Sequence, residues 1–177
     1  MDRSPPTPPS RGIALLLALL VVLAVVPGVA AAESRSGGTV VVAEGETIDE
    51  NLEAFGGTIV VHGTVNGDLS AFGGDVLVTG DVTGDVSAFA GNVRIAGSVG
   101  GNVDATGGNV YLDPGAEVGG TLSAAAGNVV VAGTVGGNAE LAGGTVTLAE
   151  TATIDGNVEY AVGEDGEFTD RGATVGG

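Results

Sequence analysis

Gly73–Asn92 reads GGDVLVTGDVTGDVSAFAGN, and this stretch holds one complete unit of a repeat. A Gly pair opens it, the aliphatic run Val76-Leu77-Val78 follows, Gly80 marks a second corner, and V-x-G-D-V leads into a small-residue turn. The same grammar recurs from Gly38 to Tyr160. A fixed short period of strand-sized apolar runs is the signature of a solenoid, in which each unit buries its apolar face only against its neighbours.

Working outward from this unit, the repeat resolves into columns. The first aliphatic falls at Val40, Ile59, Val76, Val93, Val110, Val129 and Val146, so the step from unit to unit is nearly constant. A second column is Ile48, Val65, Val82, Val99, Val118, Val135 and Ile154, and a third is Leu52, Leu69, Val86, Val103, Leu122, Ala139 and Val158. The gap between the first two columns is six residues in most units and eight in three. The added pair always falls in one place, near Glu44-Gly45, Asp113-Pro114 or Ala149-Glu150. Length variation confined to one position marks a corner loop. Alternation assigns Val76, Val78, Val82, Val86 and Ala88 to the interior, with Leu77 and Arg94 outside. Gly80, Gly84 and Gly91 are expected at corners that need a positive φ or a tight bend. The expected fold is all-β: a single-stranded parallel β-helix, or β-solenoid, of about seven coils of 17–19 residues over residues 38–162.

Composition agrees with a narrow core built in layers. Hydrophobic residues make up 44% of the chain but aromatics only 3%, with 34 glycines. That is too aliphatic for disorder, yet it lacks the large rings that fill most globular cores. The net charge is −17 and the chain contains no Lys. From Gly37 onward, twenty Asp or Glu face only Arg94 and Arg171. This balance opposes electrostatic binding to nucleic acid or anionic lipid, and it suits solubility in concentrated salt, where like charges are screened. Cysteine is absent, which excludes disulfides, thiolate catalysis and thiolate metal sites.

The two ends of the chain differ from the repeat. Residues 1–32 carry Arg3 and Arg11, the unbroken apolar run Ile13–Val26 and the small tract Ala30-Ala31-Ala32. A basic start, an apolar core and an A-x-A-like site describe a signal peptide, or an N-terminal membrane anchor if cleavage does not occur. Both readings place the repeat outside the cytoplasm, at the outer face of the membrane or free in the extracellular space. Residues 33–37 read as a polar linker, and residues 163–177 as an acidic C-terminal tail or cap in which Phe168 plugs the end of the interior.

Candidate chemistry is sparse. His62 is the only histidine and alternation places it outward. Zinc sites of the three-histidine kind are therefore excluded, and no long loop lies nearby to form a substrate cleft. Asp81 and Asp85 invite a calcium reading, but the nine-residue calcium repeat does not occur. The column Asp68, Asp85, Asn102, Thr121, Asn138 and Asn157 accepts Thr and Asn, which fits a polar ladder better than a metal site. The column Thr58, Asp75, Asn92, Asn109, Asn128 and Thr145 reads the same way. No catalytic, cofactor-binding or metal-binding residue is assigned, and the chain is not expected to be an enzyme. One column stands apart: Phe55, Phe72 and Phe89 follow the inward alanines and then give way to Thr106, Ala125 and Ala142. Outward-facing rings on an acidic rod mark a contact surface, so Phe55, Phe72, Phe89 and Phe168 are the candidate self-assembly residues. The alternative is that the corner turns the three rings inward.

The units GTVNGDL, GDVTGDV, GSVGGNV and GTVGGNA share the form G-x-V-x-G-[DN]-[VLA]. The run of them resembles the bactofilin family of polymer-forming cytoskeletal proteins over about Gly38–Val158. The resemblance implies a right-handed parallel β-helix that polymerises end to end without a nucleotide and scaffolds other proteins at the membrane. Lys-free acidity suits a haloarchaeal member of such a family. The expectation is a structural protein that self-assembles into a membrane-associated polymer or scaffold. Its partner would be itself, with the membrane engaged through the N-terminal apolar segment if uncleaved. No cofactor, nucleic acid or small-molecule substrate is expected. A secreted, non-polymerising, adhesin-like spacer is the other reading.

Overall fold

Runs of Val, Ile and Leu favour extended backbone, and glycine and polar pairs interrupt them at regular intervals, so the chain folds as strands. The computed structural model describes residues 32–177, and the leader expected over residues 1–32 lies outside the described residues but for its last position. Eight long strands run Glu33–Val42, Leu52–Val61, Leu69–Val78, Val86–Ile95, Val103–Leu112, Leu122–Val131, Ala139–Leu148 and Val158–Asp170. Eight two-residue strands alternate with them, from Thr47–Ile48 to Thr174–Val175. Each set forms one parallel sheet in which every strand pairs with its counterpart one coil away. The result is the expected parallel β-solenoid, with about eight turns, one more than the seven expected. At about 4.8 Å per rung its length is roughly 34 Å.

Each long strand covers two walls of the coil. In Leu52–Val61 the buried positions are Leu52 and Ala54, then Ile59 and Val61. The odd spacing between the two pairs reverses the alternation, so the chain turns a corner between them. Gly57 sits at that corner and alone drops out of the ladder, while Gly56 and Thr58 keep their partners Gly73 and Asp75. The short strand supplies the third wall.

The interior is a stack of Val, Ile, Leu and Ala columns, and among the described residues no polar or charged side chain is buried. Val76, Val78, Val82, Val86 and Ala88 are all at most 2% exposed. Five such side chains per coil contribute about 1.5–3 kcal/mol each, but only while neighbouring coils cover them.

The glycine expectation needs correction. Among the described residues only Gly45, Gly115 and Gly172 have positive φ; Gly80, Gly84 and Gly91 do not. These three are small for a different reason. A Cβ on Gly80 would strike the carbonyls of Gly63 and His62, one on Gly84 the Asp68 side chain, and one on Gly91 the Gly74 carbonyl at 2.9 Å. The coil beneath, not the local dihedral, excludes a side chain. Gly45 and Gly115 do need their left-handed conformation, and both lie in the loops where a coil gains its extra pair.

Regular pairing extends beyond the repeat at both ends. Glu33–Gly37, expected as a linker, pairs with Leu52–Gly56 as part of the first rung. At the far end, Glu167–Asp170 pair with Thr145–Leu148 and Thr174–Val175 with Thr153–Ile154, completing an eighth turn. Just ahead of Glu167 the register shifts, because Gly163–Gly166 bulge out where the previous coil has only Gly144.

Candidate assembly surfaces

Parallel stacking projects each sequence column as a line along the rod, so surface chemistry comes in ladders. Asn51 Oδ1 accepts from the Asp68 N–H at 2.9 Å, Asp68 Oδ1 from Asp85 at 2.9 Å, and Asp85 Oδ1 from Asn102 at 2.6 Å. Asn102 and Asn138 continue the pattern to Thr121 and Asn157. Each side chain thus satisfies a backbone donor of the next coil at a corner where the strands part. The second polar column links Asn92 Nδ2 to Asp75 Oδ1 at 2.7 Å and Asn109 Nδ2 to Asn92 Oδ1 at 2.8 Å. These carboxylates and amides are engaged in holding coils together. Among the described residues no three His, Cys, Asp or Glu side chains converge as a metal cluster would need. His62 is exposed, and its Nδ1 lies 2.6 Å from the Thr79 hydroxyl of the next coil.

Phe55, Phe72 and Phe89 face outward. They are 42%, 40% and 48% exposed, because they directly follow buried Ala54, Ala71 and Ala88 on a straight wall of the coil. Adjacent rings stack at centroid distances of 5.2 and 5.4 Å with planes within 8° of parallel. The rung spacing sets that distance, so the ladder follows from the repeat. Along the same column the rings give way to Thr106, Ala125, Ala142 and Ala161. A groove of 520 Å³ opens there, lined by these last three alanines and by Leu141, Tyr160, Glu140 and Glu159 among others.

The two ends of the core are closed by opposite chemistry. In the first rung Arg35 takes the column filled by Ala54 one coil later, and Glu33 that of Leu52. Arg35 Nε donates to Glu33 at 2.7 Å, Nη2 to Glu46 at 2.6 Å, and Nη1 to the Val41 carbonyl at 3.1 Å. These partners lie on different walls of the coil, so the guanidinium spans the end of the interior above buried Val40, Val42 and Ile48. Arg35 holds the Glu46 carboxyl below its ordinary value, and the Ala43 N–H adds to the effect. At the other end Phe168 takes the column of Val146 and Tyr160 that of Leu141. Their rings stack at 3.8 Å and 9°. Phe168 is partly buried against the core, while Tyr160 is 53% exposed.

Residues 81–168 match the family model Bactofilin, described as polymer-forming cytoskeletal. Over those residues the chain is similar to the bactofilin family. No match was found among curated proteins or solved structures. The matched span starts at the third short strand and ends at Phe168, so it takes in the last five turns, Phe89 and the aromatic end. Phe55, Phe72 and the Arg35 cluster lie outside it, although their coils keep the register of the bactofilin repeat. The Arg35 cluster was missed in the sequence because Glu33–Gly37 looks like a linker. The signal was present: Arg35 stands one repeat step before Ala54, on an inward column.

Proposed function

We propose that this bactofilin-type chain is a structural protein that assembles end to end into a polymer or scaffold associated with the outer face of a membrane. The observation that carries this reading is the pair of open rod ends. Among the described residues the strand Glu33–Val42 pairs with one neighbour only, as does Val158–Asp170, so within residues 32–177 each leaves a row of backbone donors and acceptors without a partner strand. Such edges template further strands unless something covers them. The Arg35 cluster and the Tyr160–Phe168 pair cover the ends of the core but leave the edges open. The description of the family as polymer-forming supports the reading.

The polar columns are occupied in coil-to-coil bonding, and the family's description as polymer-forming cytoskeletal supports a structural role. The membrane association rests on the apolar leader Ile13–Val26, and salt-dependent solubility on the Lys-free, acidic composition. Negative-stain microscopy of the full chain in molar and in low salt tests the polymer. Filaments whose thickness matches one or a few rods are expected, and monodisperse single rods under both conditions would instead favour a non-polymerising surface spacer. Sequencing the mature N-terminus from cell fractions tests the location. A start near Glu33 means release from the leader, and a retained leader means tethering.

A further inference from the structure

The column that carries the phenylalanines is, over eight rungs, Ser36, Phe55, Phe72, Phe89, Thr106, Ala125, Ala142 and Ala161. Three large rings occupy the second to fourth rungs and three alanines the sixth to eighth. Thr106 stands at the midpoint, in the fifth. All seven side chains from Phe55 to Ala161 belong to one straight line on one wall, at the spacing of the rungs. We propose that two copies of the chain pair side by side and antiparallel through this column, about a two-fold axis at Thr106. Phe55 then meets the partner's Ala161, Phe72 the partner's Ala142, and Phe89 the partner's Ala125, while Thr106 meets its own counterpart.

Three observations support the pairing. The first is shape: the rings project while the three alanines line the 520 Å³ groove, so each ring of one copy faces the groove of the other. The second is symmetry. A two-fold interface requires one surface to complement itself, and a column with large residues in one half and small ones in the other does so only when the copies run in opposite directions. Parallel copies would set ring on ring and alanine on alanine. The third is area. Each copy brings three rings 40–48% exposed, and a Phe side chain buries roughly 150–250 Å². With the surfaces they cover, the six rings account for on the order of 1,000 Å², the lower limit for a specific interface.

The flanking column limits when this pairing forms. Glu53, Asp104, Glu140 and Glu159 lie beside the ring column on the same wall. In the antiparallel pair Glu53 faces the partner's Glu159, and Asp104 faces its own counterpart. These like charges oppose association at low ionic strength. They are screened in molar salt, where the Debye length falls to about 3 Å. The pair is therefore a high-salt species.

The chain has no cysteine, which permits a direct test by single substitution in the full chain. Under a mild oxidant in molar KCl, Thr106→Cys is expected to cross-link to itself and run as a dimer without reductant. Phe72→Cys and Ala142→Cys chains should cross-link when mixed, and neither should do so alone. Thr83→Cys, exposed on the short-strand wall, should stay monomeric. The Thr106→Cys cross-link should weaken several-fold as salt is lowered. Self-cross-linking of Phe72→Cys would mean parallel copies and would overturn the proposal. So would a Thr106→Cys chain that stays uncross-linked in molar salt, the result expected if the ladder instead docks on a membrane or another protein. End-to-end filaments are scored separately by microscopy, so the failure of either reading leaves the other standing.

Discussion

Arg35 lies across the N-terminal end of the core with its Nη2 2.6 Å from Glu46 Oε1, in the column that Ala54 fills one rung later. A charged pair thus stands where the repeat would otherwise continue with apolar side chains. Arg35→Ala removes three donors and uncovers Val40, Val42 and Ile48. Hydrogen exchange in Val40–Val42 and Thr47–Ile48 should quicken several-fold, while coils three to seven keep their protection. Solenoids are stabilised by neighbours, so the loss should stay at the end.

The same cluster responds to acid in a defined direction. Glu46 is held below its ordinary value, so its bond to Arg35 is fully present above about pH 4.3, the ordinary carboxylate value, and is lost as pH falls through the lowered value. Asp170, which accepts from the N–H groups of Ala173 and Gly172, is lowered as well, so the last turn has the same sign. Exchange measured from pH 6 downward should show both ends of the rod holding through the ordinary carboxylate range and fraying below it. Fraying that began at pH 5 or above would contradict this.

The Asn102 side chain accepts from the Thr121 N–H at 2.9 Å, and Asp85 Oδ1 in turn accepts from Asn102 at 2.6 Å. Asn102→Ala should lower stability by about 0.5–1.5 kcal/mol, the usual net value of one hydrogen bond, whereas Asn102→Asp keeps the acceptor and should cost less. Urea denaturation gives both numbers. Millimolar calcium should leave the midpoints unchanged, since these oxygens are committed to the ladder.

Replacing Gly by Ala where φ is negative ordinarily stabilises by about 0.4–1 kcal/mol through the unfolded chain. Gly38 is not among the positive-φ glycines, and no heavy atom lies within 4 Å of a Cβ placed there, so Gly38→Ala should stabilise by about that amount. Gly80→Ala should do the opposite. Its new methyl meets the carbonyls of Gly63 and His62, and backbone cannot move aside without parting two coils. A loss of about 1–3 kcal/mol is expected, as for overpacking generally. Equal effects at the two positions would show that the close approach between coils has been misjudged.

Period and alternation were enough to read the walls and the interior, because columns that recur at so even a step can stack in only one register. The outward rings of Phe55, Phe72 and Phe89 followed from the same alternation once the wall was known to run straight past the alanines. What the residues hid were the places where the repeat stops being a repeat. Arg35 and Glu33 sit on inward columns with outward chemistry, and Phe168 reaches the Val146 column only because Gly163–Gly166 bulge out. Gly80 was legible as special but not for its reason, since its clash is with Gly63 and His62 in the coil beneath rather than with the local chain.

Tyr160 and Phe168 close the C-terminal end by stacking at 3.8 Å, and they are the only ring pair among the described residues contributed by a single strand. Phe168→Ser removes that stack, worth about 0.5–1.5 kcal/mol beyond area, and opens the core above Val146. The eighth turn should lose its exchange protection while the middle coils stay protected. If the rod ends carry assembly, filaments of this variant should shorten or vanish at a protein concentration where the parent chain forms them. Phe168→Leu separates cover from ring chemistry. Leucine restores an apolar plug without the stack, so it should recover the eighth turn and, if apolar cover alone is needed, the filaments too. An eighth turn recovered without filaments would mean that the aromatic face itself makes the end contact.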